Sequence, residues 1–114
     1  MLIQAPTQQV SQLEANLCSA FVDATRILIL YALNDHPCTV TELINKLGTA
    51  QSKMSRHLKV LRDLGLVRTT RQGTSITYEL ADCRLIEALD ILRGVLRDTI
   101  IVKANLIKDT QIQV

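Results

Sequence analysis

The sequence predicts a mainly helical α+β domain that carries one small β-hairpin. Three observations point there. Aliphatic residues recur at helical spacing before residue 64 and again after residue 82. Two short helical segments meet at Gly48-Thr49. Between residues 66 and 80 the pattern turns partly alternating and rich in Val, Ile, Thr and Tyr. The 114 residues suit one domain. With 47% hydrophobic but only 3% aromatic residues, its core must be built from Leu, Ile, Val and Ala.

The elements follow in order. Residues 1–9 read as a flexible arm, 10–108 as the folded domain and 109–114 as a tail. Val10, Leu13, Leu17, Ala20, Phe21 and Ala24 share helical spacing from Val10 to about Asp23. The nearly all-apolar run Ala24 to Leu33 reads as a buried helix stopped by Asn34-Asp35-His36-Pro37. Thr39 or Thr41 can cap a short helix, Val40 to Leu47, that ends at Gly48. Thr49 then caps a helix from about Ala50 to Leu64, closed by Gly65. Leu66–Arg71 and Ser75–Leu80 form a hairpin turning at Gly73. A last helix runs from about Asp82 to Lys108, which makes about five helices and two strands.

Net charge is only +2, but its distribution is uneven. Residues 46–71 hold seven basic side chains against one acid, a balance of +6, and the remainder carries −4. On a helical wheel of residues 50–64, Ala50, Met54, Leu58, Leu61 and Leu64 share one face. Ser52, Ser55, Arg56, Lys59 and Arg62 share the other. Gln51, Ser52 and Lys53 fill the first turn, where free N–H groups and the helix dipole favour anions. Such a face serves either as an ordinary solvated surface or as a phosphate-binding one. The preceding helix and turn, and a following hairpin with Arg68, Arg71, Gln72 and Thr74 near its tip, favour double-stranded DNA. Gln and Arg can also read purine edges in a major groove.

No paired nucleophile and base, phosphate-cradling glycine loop or hydrolase motif is visible, so the chain is not expected to be an enzyme. MLIQAPTQQV has neither the basic nor the apolar region of a signal peptide, and no apolar run is long enough to span a bilayer. A cytoplasmic location is expected.

The stretch SKMSRHLKVLRDLGLVRTTRQGTSITYEL resembles the winged helix-turn-helix repressors of the ArsR/SmtB family. Their pattern S-x-x-S-x-H-L-x-x-L-x-x-x-G-L-V, then R-x-G and Y-x-L, is met by Ser52, Ser55, His57, Leu58, Leu61, Gly65, Leu66, Val67, Arg71, Gly73, Tyr78 and Leu80. Upstream, Asp23, Thr25, Arg26, Ile29 and Leu30 match a D-x-T-R-x-x-I-L helix. The resemblance covers about residues 13–100. It implies a homodimeric repressor that holds a palindromic operator until a ligand or oxidant arrives, with Gln51, Ser52, Ser55, Arg56 and His57 near DNA. His57 flanks the buried face of the wheel, so a packed, hydrogen-bonded histidine stands beside the phosphate contact as a reading. A winged-helix interaction module that has lost DNA binding is the alternative function.

The last helix covers about half its wheel with aliphatics, more than a helix lying on a small core needs. Such a helix is either the central helix of a monomer or one that turns a second face to another subunit; a two-fold dimer through the first and last helices is expected, with Leu13, Leu17, Leu89, Leu92, Leu96 and Ile100 at the interface.

The signal is less legible. Metal-sensing members of the family often carry Cys-x-Cys in the short helix before the reading helix; here Thr41 to Lys46 has no cysteine. Other members carry Asp and His on the last helix; here Asp90 and Asp98 have no histidine beside them. No zinc site is recognised, and the cofactor is unknown. Three cysteines remain as thiol-sensor candidates: Cys38 after Pro37 and expected near the surface, Cys83 at the start of the last helix, and Cys18 on the first. They are either small packing residues, a thiol switch, or captors of a soft metalloid such as trivalent arsenic.

Overall fold

A computed structural model describes residues 7–113, with side chains to residue 106. The expected arm lies mostly outside the described residues; its last three residues, 7–9, begin the first helix. The elements are α1 (Thr7–Cys18), a 3-10 turn (Ser19–Val22), α2 (Ala24–Asp35), β1 (Cys38–Thr39), α3 (Val40–Leu47), α4 (Gln51–Asp63), β2 (Val67–Gln72), β3 (Ser75–Leu80) and α5 (Arg84–Gln113). Five α-helices were expected. The wing is three-stranded rather than two-stranded, in the order β1-β3-β2. Cys38 and Thr39 pair with Tyr78 and Thr77 of β3. Two residues carry no periodicity, so this strand is invisible until the chain is folded.

The described residues divide into two units, one up to residue 82 and one from residue 83. In the first, α2 packs on α3, α4 and β3, and α3 packs on α4. Ile29, Leu30, Leu43, Met54, Leu58 and Leu61 are essentially inaccessible and fill the space between them. Each such side chain contributes roughly 1.5–3 kcal/mol of burial. The capping question at α3 resolves to Thr39. Its hydroxyl accepts from Glu42 N–H at 3.2 Å, and the Glu42 carboxylate accepts from Thr39 N–H at 3.0 Å, a full capping box. Gly48 ends α3 at φ 69°, donating to Ile44 O at 2.8 Å. That left-handed geometry lets α4 start three residues later. Thr49 does not cap α4: the cap position is Ala50, with no side-chain bond. The anion-seeking N–H groups of the first turn are therefore not capped by a side chain at that position.

In the hairpin, Gln72 pairs with Ser75 across a two-residue turn, Gly73-Thr74. Gly73 has φ 62°, as the first position of a type II′ turn requires. Strands β2 and β3 project this turn away from a buried base at Leu66 and Val67.

The second unit is the 30-residue α5, which continues through residues 109–113 that the sequence reads as a tail. Ile86 and Leu89 are buried, while Ile91, Leu92, Val95, Leu96, Ile100 and Ile101 are at least half exposed. No single helix among the described residues is long and apolar enough to cross a membrane.

Candidate nucleic-acid interface

The α4 wheel folds as its pattern dictates. Met54, Leu58 and Leu61 face the core, and Gln51, Ser52, Lys53, Ser55, Arg56 and Lys59 are exposed. Among the described residues, no side-chain partner meets Lys53, Arg56 or Arg71, so their charges are available to an anion. Two of the expected cations are engaged. Lys59 Nζ lies 3.0 Å from Asp63 Oδ2, and Arg68 Nε lies 3.8 Å from Glu79 Oε1 across the hairpin. Both pairs are solvated and weak, so a phosphate can compete for them. Arg71, Gln72 and Thr74 stand exposed at the wing tip.

His57 is the departure. It is 8% exposed and points back into the protein rather than outward. Arg26 Nη1 lies 3.3 Å from its Nδ1, and Asp23 Oδ1 lies 3.8 Å from its Nε2. A guanidinium only donates, so Nδ1 accepts and the ring proton sits on Nε2, toward the carboxylate. Of the two readings, the structure favours the packed, hydrogen-bonded one. Asp23 caps α2 by accepting from Thr25 N–H at 2.8 Å. That bond, with help from His57 and Arg26, holds its carboxyl below the usual aspartate range. Asp23, Arg26, Lys53, Arg56, His57 and Val60 line a cleft of about 290 Å³ at the foot of α4. Basic groups outnumber the single acid there.

The pattern of the arsR family of bacterial regulatory proteins matches residues 23–69, which hold α2, the helix-turn-helix and the start of the wing. NmtR of Mycobacterium tuberculosis, an HTH-type transcriptional regulator, is 40% identical over 87 residues, 76% of this chain and 68% of NmtR. The chain belongs to the ArsR family. CmtR of Mycobacterium bovis, another HTH-type transcriptional regulator, is 44% identical over 75 residues, 66% of this chain and 64% of CmtR. The chain therefore spans about two thirds of the length of these relatives. The crystal structure of Mycobacterium tuberculosis Rv0081 aligns with a TM-score of 0.76 at 29% identity, covering 83% of this chain and 96% of that one. This ArsR-family chain is a winged helix-turn-helix transcriptional regulator and not an enzyme.

All three cysteines of this ArsR-family chain are free. Cys18 and Cys83 are exposed, as a sensor thiol needs. Cys38 is not near the surface: it is fully buried, because its pairing with Tyr78 turns the side chain inward. Burial pushes its thiol up from the usual range, against the milder pull of Lys46. A raised, covered thiol is a poor nucleophile.

Sequence reasoning missed one arrangement. Single donor atoms of His36, Cys38 and Glu42 all lie within 4.8 Å of one another. The only trace in the sequence is the spacing H-x-C-x-x-x-E. It carries no meaning until β1 and the α3 cap bring the three together.

Proposed function

We propose that this chain is a homodimeric repressor that holds a palindromic DNA operator through α4 and the wing and releases it on a chemical signal. The observation that carries the reading is the outward face of α4. Lys53 and Arg56 there have no partner among the described residues, beside Gln51, Ser52 and Ser55. A phosphate backbone supplies the missing anions, and Gln51 or Arg56 can reach base edges. Arg71, Gln72 and Thr74 at the wing tip then grip the adjacent backbone. On α1, Leu13 and Leu17 are exposed, and on α5 so are Leu92, Leu96 and Ile100. Covering each set with a second copy removes apolar surface from water and gives the two-fold symmetry a palindrome requires. Cys18 and Cys83 are the accessible thiols through which an oxidant or soft metalloid could act.

The test is fluorescence anisotropy on DNA from the protein's own promoter, over a series of salt concentrations. Tight binding that weakens steeply with salt supports the reading, because each phosphate contact releases counterions. Absence of binding even at low salt favours an interaction module that keeps the fold without the DNA.

A further inference from the structure

The end of α2, the edge strand β1 and the start of α3 each bring one metal-ligating side chain to the same spot. His36 is the residue at which α2 stops, Cys38 opens β1, and Glu42 lies in the first turn of α3. Cys38 Sγ lies 3.7 Å from His36 Nδ1. A tetrahedral zinc with the usual Zn–S and Zn–N bonds holds its sulfur and nitrogen about 3.6 Å apart. The sulfur and nitrogen already stand at the separation a shared metal would impose. Glu42 completes the set: one carboxylate oxygen is engaged by Thr39 N–H, which leaves the other to coordinate.

We propose that His36, Cys38 and Glu42 form a binding site for a divalent metal ion of the zinc type, with water as the fourth ligand. Imidazole, thiolate and carboxylate together suit a borderline ion better than a hard one such as Mg²⁺. The thiolate and the carboxylate balance the ion's two positive charges. His36 and Glu42 are exposed, so the ion enters between them, and only its sulfur ligand lies beneath the surface. Cys38 loses its S–H proton to solvent as the metal–sulfur bond forms, and its present contact with His36 O, at 3.3 Å, is given up. His36 Nδ1 exchanges its contact with Pro37 O, at 2.8 Å, for the metal. The ring proton then resides on Nε2, where Lys46 Nζ now sits at 3.3 Å. Lys46 is exposed on a flexible stem and swings into solvent.

The consequence is mechanical. Cys38 is paired to Tyr78 in β3, and Glu42 belongs to the helix that packs on α4. An ion held by both ties the wing to the helix-turn-helix and changes how the two meet DNA. That last consequence rests on the regulator reading above; metal binding itself does not.

The experiment titrates Co²⁺, then Zn²⁺, into the reduced, full-length, chelator-treated protein. We expect one Co²⁺ per chain with a thiolate-to-cobalt charge-transfer band and tetrahedral d–d absorption, displaced by Zn²⁺. Cys38→Ser removes the band, His36→Ala and Glu42→Gln each weaken binding at least about tenfold, and a Cys18→Ser/Cys83→Ser double variant keeps the band. Glutamine preserves the capping box, and His36 is exposed, so these two variants stay informative even if Cys38→Ser fails to fold. A band that survives His36→Ala and Glu42→Gln, or disappears in the Cys18/Cys83 variant, overturns the proposal. So does the absence of any thiolate band in the wild type. Promoter binding is measured in the same samples with and without Zn²⁺. A metal spectrum without DNA binding would sink the regulator reading and leave the site standing; DNA binding without a metal spectrum does the reverse.

Discussion

The Arg26 guanidinium stands 3.3 Å from His57 Nδ1 while its other nitrogens donate to Ala20 O at 2.9 Å and Ser19 O at 3.3 Å. One side chain at the start of α2 thus ties the 3-10 turn to the buried flank of α4. Replacing Arg26 with Ala strips partners from His57 and from the carbonyl of the buried Ala20. A loss of about 1–3 kcal/mol in urea unfolding is expected. Lysine should not restore it, because three divergent bonds need a planar fork. Full rescue by lysine would show that charge alone is at work.

On the proposed function, Arg56 reads bases and Arg71 grips the backbone, and the two roles can be told apart. Each is exposed and, among the described residues, without a side-chain partner, so Ala at either position should leave stability within about 0.5 kcal/mol. Arg56→Ala should weaken operator binding by about 1–3 kcal/mol and relax sequence preference. Arg71→Ala should weaken binding evenly across sequences and flatten the salt slope by about one. Anisotropy on operator and scrambled DNA checks both, and an unchanged affinity for Arg56→Ala would remove α4 from the reading role.

Asp23 makes stability fall in acid. Its carboxyl is held below the ordinary value of 3.8, first by Thr25 N–H and then by His57 and Arg26. A depressed folded pKa means the unfolded chain takes up the proton first. The contribution is therefore complete above the ordinary value and is lost as pH falls through the folded one. Asn can still cap α2 but cannot titrate. The stability gap between wild type and Asp23→Asn should be widest at neutral pH and close below about pH 4. A gap that stays constant with pH would show that Asp23 acts as a cap alone.

The cysteines should divide by burial. Cys18 and Cys83 are exposed and Cys38 is fully covered. A thiol-specific chromogenic reagent should modify two thiols quickly in the native protein and the third only on unfolding. Fast modification of all three would mean that β1 opens readily.

Leu96 tests the dimer. It is 58% exposed on α5, and together with Arg93, Arg97, Ile100 and Ile101 it lines an open apolar groove. Wild type should sediment as a dimer, and Leu96→Glu should shift it to monomer with a parallel loss of operator affinity. A Leu96→Glu chain that remains dimeric would place the interface elsewhere.

Much of this was legible because it is local. Helical spacing, glycine stops and the Thr39 cap depend on neighbours within a turn, and α2, α3, α4 and β3 fall within two residues of where the pattern puts them. The exposed face of α4 was legible for the same reason, since a wheel needs only residues 50–64. His57 lay on the boundary of that wheel, where 100° steps do not decide which side a ring takes. Arg26, thirty-one positions away, decides it.

By itself, then, the sequence determined the class of element at each position, the segregation of charge onto one helix and hairpin, and through its motifs the family. Only the tertiary structure decided that Cys38 is buried, that a two-residue strand widens the wing, and that His36, Cys38 and Glu42 share one spot. The reason is range. Periodicity and caps are settled by contacts a few residues apart, whereas the burial of Cys38 and its β1 pairing require β3, some forty residues further along the chain, to fold back beside it.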